Sequence, residues 1–463
     1  MLLLLGTALG REVPKIVGAW SGALEVGAVR LRLVVHVTQG DDGALRATLD
    51  SIDQNAIGIP IDSVAFDGKT LHLGLPGINA AYDGVLDQAA KTLTGSWKQR
   101  GNVLPLTLDR SEDVASTLPK RPQEPNPPFP YQAREVTYPN GGITLAGTLT
   151  VPSGPGPHPV VLLISGSGPQ DRDEAVMGHR PFLVLADHLT RNGVAVLRVD
   201  DRGVAESTGS FATATTEDFA SDALAGVAHL KTLPDIDANR IGLVGHSEGG
   251  IVAPMAAARS SDVAFVVLMA GVGVPMEELL RAQSRLLLKA SGADDAYIAR
   301  NETISAQLMA TARAEPDAAL RESKLRETAS AIISGLTPQE RAASGLSESA
   351  LEGSVQMLAT PWMHFLLTYD PVPTLRRVKV PVLAINGELD LQVPPSQNLP
   401  AIKQALVEGG NQDVTTIELP KLNHLFQTAV TGAPAEYGTI EETIAPIALK
   451  TVTDWIVART ARR

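Results

Sequence analysis

The sequence predicts an α/β protein with a second, smaller part: a small antiparallel β module precedes a mostly parallel sheet that is covered by helices and interrupted by a helical cap. Three observations predict it. Residues 16–110 hold short runs that are apolar at every second position, the period of a strand with one buried face. From residue 159 onward, continuous apolar runs alternate with helical segments, as in a parallel sheet. Residues 275–375 break that alternation with helical pattern alone.

Taken in order, the chain opens on MLLLLGTALG (1–10), too short to span a bilayer, which needs about 20 residues. The run has the length of a secretory h-region but lacks a basic n-region. It reads as a signal-peptide remnant, with a secreted or periplasmic location expected; an ordinary apolar segment of a cytoplasmic protein is the alternative. Residues 11–117 are the β module. VRLRLVVHV (29–37), LRATLDSI (45–52), LHLGL (71–75) and VLPLTLDR (103–110) alternate, punctuated by GDDG and FDGK, as in a sandwich or barrel. His36 and His72 lie in these runs without a partner motif and read as structural. The stretch LPKRPQEPNPPFPYQ (118–132) carries six prolines, which favour extended geometry and make it a semi-rigid linker.

The α/β domain takes residues 133–463. REVTYPNGGITLAGTLTVP (134–152) reads as a hairpin turning at Asn140-Gly141-Gly142. Buried strands are expected at 159–165, 194–203, 241–245, 263–271 and 380–387, and a further strand at 415–419. Helices are expected over 178–193, closed by Gly193, over 216–233 with a threonine cap, over 247–260 and over 441–459. The helical stretch 275–375 reads as a cap over the site; an excursion that is inert, or that dimerises and makes the chain a homo-oligomer, is the alternative.

Composition excludes several functions. Cys is 0, which removes disulfides, thiolate metal sites and a cysteine nucleophile. Lys+Arg 39 against Asp+Glu 51, a net charge of −12, argues against nucleic acid and anionic lipid as partners.

The chemistry is carried by Gly245-His246-Ser247-Glu248-Gly249, a G-x-S-x-G between a strand and a helix. Such a turn strains the serine and lifts its hydroxyl above the sheet at a helix N-terminus, where negative charge is favoured. A serine needs a base to take its proton and an acid to orient that base, and both follow it in the chain. The acid is expected past strand 380–387 at Asp390, with Glu388 the rival. His424, in ELPKLNHLF, is the one histidine beyond Asp390 and is the expected base. His246 lacks this order and reads as packing. The oxyanion needs backbone N–H donors: one from Glu248, the other from the loop Ser165-Gly166-Ser167-Gly168, with Ser167 first and Gly168 next. The carboxylates Asp171, Asp173, Glu174, Asp200 and Asp201 alternate with Arg172, Arg180, Arg198 and Arg202, and read as an ion-pair network rather than a metal site. Arg202-Gly203 is expected to buttress the loop beneath the nucleophile. Trp362, His364, Phe365 and Tyr369 are candidate lining residues in the cap, or core packing.

With these residues in hand, the sequence resembles the α/β-hydrolase superfamily, and more closely the bacterial two-domain serine esterases allied to the prolyl oligopeptidase and serine aminopeptidase group. The resemblance rests on SGSGPQDRDE (165–174), RVDDRGVAESTG (198–209), GHSEGG (245–250), NGELDLQVP (386–394) and NHLF (423–426). It implies Ser247 as nucleophile, Asp390 as acid and His424 as base, and a carboxylesterase without metal or cofactor that hydrolyses small-molecule esters, short acyl chains expected. A module of about 100 residues is too small for the β-propeller of a prolyl oligopeptidase. A serine aminopeptidase with the same triad is the second expectation; a non-catalytic binding module on the same fold is the third.

Overall fold

Alternation at every second position lets one face of a sheet bury its side chains while the other meets solvent. The computed structural model describes residues 15–26, 29–40, 43–52, 56–99, 102–111, 120–337, 339–341 and 348–461. The apolar run 1–10 and linker positions 118 and 119 lie outside the described residues. Two compact units divide between Lys120 and Arg121.

The first unit is one antiparallel sheet of nine strands: β1 (Gly18–Val26), β2 (Val29–Gln39), β3 (Leu45–Ser51), β4 (Ala56–Ile61), β5 (Ser63–Phe66), β6 (Thr70–Leu75), β7 (Ala80–Leu86), β8 (Thr92–Gln99) and β9 (Asn102–Ser111). Their spatial order is β4-β3-β2-β1-β9-β8-β7-β6-β5. The edge strands β4 and β5 are separated by Asp62 alone, so the two edges meet within about 7 Å. The sheet therefore rolls up as a barrel does. Residues 56–66 and 80–99, which the sequence pattern leaves unassigned, join it through their pairing with β3, β6 and β9. The core holds Trp20, Tyr82, Trp97 and a set of leucines. The Trp20 indole donates to the Ile16 carbonyl at 2.8 Å, so its polar atom is satisfied. His36 and His72 each meet a carboxylate, Asp50 at 2.7 Å and Asp83 at 2.6 Å.

The second unit is built on eight strands: β10 (Tyr131–Asn140), β11 (Ile143–Pro152), β12 (His158–Ile164), β13 (Ala195–Val199), β14 (Ile236–His246), β15 (Phe265–Met269), β16 (Val382–Gly387) and β17 (Val414–Leu419). Their order is β10-β11-β13-β12-β14-β15-β16-β17. The pairs β10–β11 and β11–β13 are antiparallel and the rest parallel, as expected of a mostly parallel sheet. The central strands β15 and β16 are buried along their whole length, because helices cover both faces.

Those helices are α1 (Pro181–Arg191), α2 (Thr216–Leu230) and α3 (Gly249–Ala257), then α4 (Met276–Ala290), α5 (Asp295–Ala314), α6 (Ala318–Gly335), α7 (Glu348–Ala359), α8 (Pro361–Thr368) and α9 (Pro371–Leu375). After the sheet resumes come α10 (Pro395–Glu408), α11 (Pro434–Tyr437) and α12 (Pro446–Thr460). The starts of α1 and α12 fall at prolines, later than the pattern indicates, because a proline at the first helical position gives up no hydrogen bond. Thr215 and Asp218 close a capping box on α2. Helices α4–α9 are inserted between β15 and β16. Inside this insertion Arg321 is fully buried and donates to the carbonyls of Glu315, Pro316 and Ala359 at 2.9, 3.0 and 2.8 Å. It ties the start of α6 to the end of α7.

Candidate active site

The turn from β14 to α3 forces Ser247 to a φ of 53°, a left-handed backbone that a side-chain-bearing residue adopts at a cost of about 1–2 kcal/mol. The neighbouring glycines make the turn sterically feasible. A Cβ on Gly245 would lie 2.0 Å from the Gly249 carbonyl oxygen, and one on Gly249 would lie 2.2 Å from that of Ile164. The Ser247 amide donates to the Met269 carbonyl at 2.9 Å, which anchors the turn to β15.

Asp390 lies in the loop after β16 and is 2% exposed. One carboxylate oxygen accepts the amides of Gln392 and Val393 at 2.9 and 2.8 Å. The other accepts the Asn386 side chain at 3.3 Å and meets His424 Nδ1 at 2.9 Å. Glu388, the rival acid, is exposed and accepts the Lys421 amide instead. His424 stands in a tight loop after β17, where Asn423 Oδ1 accepts the amides of Leu425 and Gln427 at 3.0 and 2.9 Å. With Nδ1 turned to Asp390, Nε2 is left for proton exchange.

Glu248 heads α3, where first-turn amides have no intrahelical partner. In the loop after β12, the Gly166 amide goes to Glu174 at 2.6 Å and the Gln170 amide to Asp201 at 2.9 Å. Pro169 has no amide hydrogen, and the Ser167 and Gly168 amides are the expected donors between these two engaged ones. The Glu248 side chain was not anticipated from sequence. It accepts from Thr216 Oγ1 at 2.7 Å, from Trp362 Nε1 at 2.9 and 3.0 Å, and from Ser167. Burial pushes its carboxyl above the ordinary range, against those three donors. Of the four cap candidates, Trp362 is the one bonded to the elbow. His364 bonds to the Ala312 carbonyl at 3.0 Å, Phe365 stacks on Tyr369, and the Tyr369 hydroxyl donates to Thr374.

Part of the expected ion-pair network is present. Arg172 binds Asp200 and Glu206 at 2.6 Å each and also Glu135; Asp173 meets Arg180 and Arg198. Arg202 reaches down to Asp218 and Asp222 on α2 at 2.9 and 2.7 Å. Three carboxylates depart from the expectation: Asp171 accepts the backbone amides of Asp173 and Ala175 at 3.0 and 3.1 Å. Asp201 accepts from Ser165 and Gln170, and burial raises its carboxyl to about 7. Glu174 pairs with His246 at 2.8 Å, so His246 is more than packing. A polar ring at the end of the apolar strand IGLVGH needs a partner once buried, and that was the available signal. Among the described residues, no group of three or more His, Asp or Glu is placed to hold a metal ion, and no helix is long and apolar enough to cross a membrane.

Similarity to known proteins follows this layout. Esterase EstD of Thermotoga maritima is 27% identical over 345 residues, 73% of this chain and 73% of that protein. Among solved structures, the α/β hydrolase GrgF from Penicillium sp. sh18 is 17% identical with a TM-score of 0.44, covering 72% of this chain and 100% of that one. An esterase of Pyrococcus furiosus is 15% identical with a TM-score of 0.42, covering 72% and 92%. The model of the Alpha/beta hydrolase family matches residues 160–437, a span that includes the elbow, Asp390 and His424. The chain belongs to the alpha/beta hydrolase family.

Proposed function

We propose that the chain is a serine carboxylesterase of small-molecule esters with short acyl chains. The observation that carries the reading is the bond of His424 Nδ1 to the buried, four-fold satisfied carboxylate of Asp390, on the fold that strains Ser247 at its elbow. In this reading Ser247 Oγ attacks the ester carbonyl while His424 Nε2 takes its proton. The amides of Glu248 and Ser167, or Gly168, hold the oxyanion. Collapse expels the alcohol, which leaves with the proton from His424, and water repeats the sequence to free the acid. Asp390 holds the imidazole in its tautomer and stabilises the imidazolium. The 27% identity to EstD, an esterase by name, supports the ester as substrate.

A serine aminopeptidase would need an acidic anchor for the substrate amine. The acidic side chain beside the nucleophile, Glu248, is already engaged by Thr216, Trp362 and Ser167, which favours the esterase reading. Ser247→Ala is expected to abolish turnover of p-nitrophenyl butyrate, and a fluorophosphonate probe to label the parent protein but not this variant. Turnover retained by Ser247→Ala would overturn the mechanism. A series of p-nitrophenyl esters tests the acyl preference, with rates expected to fall as the chain lengthens.

A further inference from the structure

Behind the elbow runs a chain of hydrogen bonds that the proposed reaction does not use. His246 Nδ1 lies 2.8 Å from Glu174 Oε1, and His246 Nε2 lies 3.0 Å from the carbonyl oxygen of His424. A carbonyl oxygen can only accept, so Nε2 carries a hydrogen. Glu174 Oε1 already accepts the Gly166 amide at 2.6 Å, the pattern of an ionised carboxylate, and an ionised carboxylate can only accept, so Nδ1 facing it carries a hydrogen as well. A ring that donates from both nitrogens is an imidazolium. Glu174 and His246 are 4% and 7% exposed, and a buried charge persists only when it is paired and hydrogen-bonded.

The pair touches each part of the site. Glu174 grips Gly166 of the oxyanion loop, whose backbone packs on the nucleophile: a Cβ on Gly166 would lie 3.2 Å from Ser247 Cβ. His246 adjoins Ser247 in the chain and grips the main chain of the base, and its ring centre is 4.9 Å from that of His424. Glu174 holds this post at a φ of 52°, a strained backbone of the kind found where function requires it. Burial opposes a charge on His246, but Glu174, the His424 carbonyl and Asp390 outweigh it and hold the ring above the ordinary histidine value.

We propose that His246 is a lasting imidazolium, held by Glu174, that positions the His424 loop and keeps the His424 ring neutral, and so able to act as base, at lower pH than Asp390 alone would allow. The groups that face the two rings are Glu174 from the segment after β12, Asp390 from the loop after β16, and the buried Tyr437 phenol of α11. Asp390 draws a proton onto His424. The His246 cation opposes it from the other side. Neither Glu174 nor His246 touches substrate in this scheme; both are positioning residues. The role rests on the serine-hydrolase reading, whereas the charge state of His246 does not.

Two experiments on the full-length chain test it. The first is the pH profile of kcat/KM on p-nitrophenyl butyrate for the parent, His246→Gln and Glu174→Gln. Loss of the cation is expected to move the acid limb upward by about one pH unit in His246→Gln, and by less in Glu174→Gln, which removes the anion together with the cation. A lowered plateau with an unmoved limb would mean a merely structural role and would overturn the proposal. The second is the 15N spectrum of the histidine-labelled parent, with either variant used for assignment. Both ring nitrogens of His246 are expected at protonated shifts between about pH 5 and 8. The His246 signals can also be assigned within the parent, by correlation of each ring to its own backbone, so a neutral tautomer at pH 6 would overturn the proposal even if the variants failed to fold. The spectrum requires no turnover, so this failure is distinct from failure of the esterase reading, which Ser247→Ala reports.

Discussion

Asp390 shows how much of a site resides in one side chain's surroundings. Two amides and the Asn386 side chain fix its carboxylate, so the His424 ring docks onto an acceptor whose position is already set. Asp390→Asn is expected to keep this shape, turn the ring to the wrong tautomer and cut kcat by about 10³- to 10⁴-fold. Glu388→Gln, two residues earlier, should leave kcat unchanged in the same assay, because that side chain faces solvent. Asp201 gives a stability test. The folded chain keeps a proton there up to about 7, whereas the unfolded chain releases it near 3.8. Its contribution is thus complete below the lower value and is lost as pH rises through the upper one. Thermal unfolding from pH 4 to 8 should show the parent losing stability relative to Asp201→Asn as pH rises. Chain order made Ser247, Asp390 and His424 legible, because strand ends and loops are visible in sequence. The bonds of Glu174, His246 and Glu248 were not legible, because each partner comes from a segment far away in the chain.

At the level of elements, apolar runs identified the buried strands, since the central strands β15 and β16 are covered on both faces along their whole length. Where a strand owes its place to neighbours, as in β4, β5, β7 and β8, the pattern was silent. The extent of the helical insertion was readable from the absence of strands. What holds it together was not, because Arg321 reads as one more surface cation until its three carbonyl partners are seen. Replacing it with Met leaves the buried carbonyls of Glu315 and Ala359 without this donor, at about 1–3 kcal/mol for each buried group. Arg321→Met should therefore lower the denaturant midpoint of the second unit and speed proteolysis of the 315–360 segment.

The whole molecule has two hydrophobic cores that share no residue, one in each unit. Calorimetry should resolve two transitions, and Trp20→Ala should move only one of them. The described part of the proline-bearing stretch 118–132 is no free tether. Arg121 donates to the carbonyls of Gly438 and Ile440, and Gln123 bonds to Thr443 and Ile444, so the stretch is sewn to the second unit. The insertion of α4–α9 between β15 and β16 also has a consequence in time. It lies between the proposed nucleophile and both its proposed partners, so a ribosome finishes the Ser247 turn about 180 residues before His424, or roughly 9–35 s at ordinary elongation rates. Through that interval the nascent chain carries Ser247 without the proposed acid and base, because β16 and β17, the strands that lead to Asp390 and His424, come later in the chain.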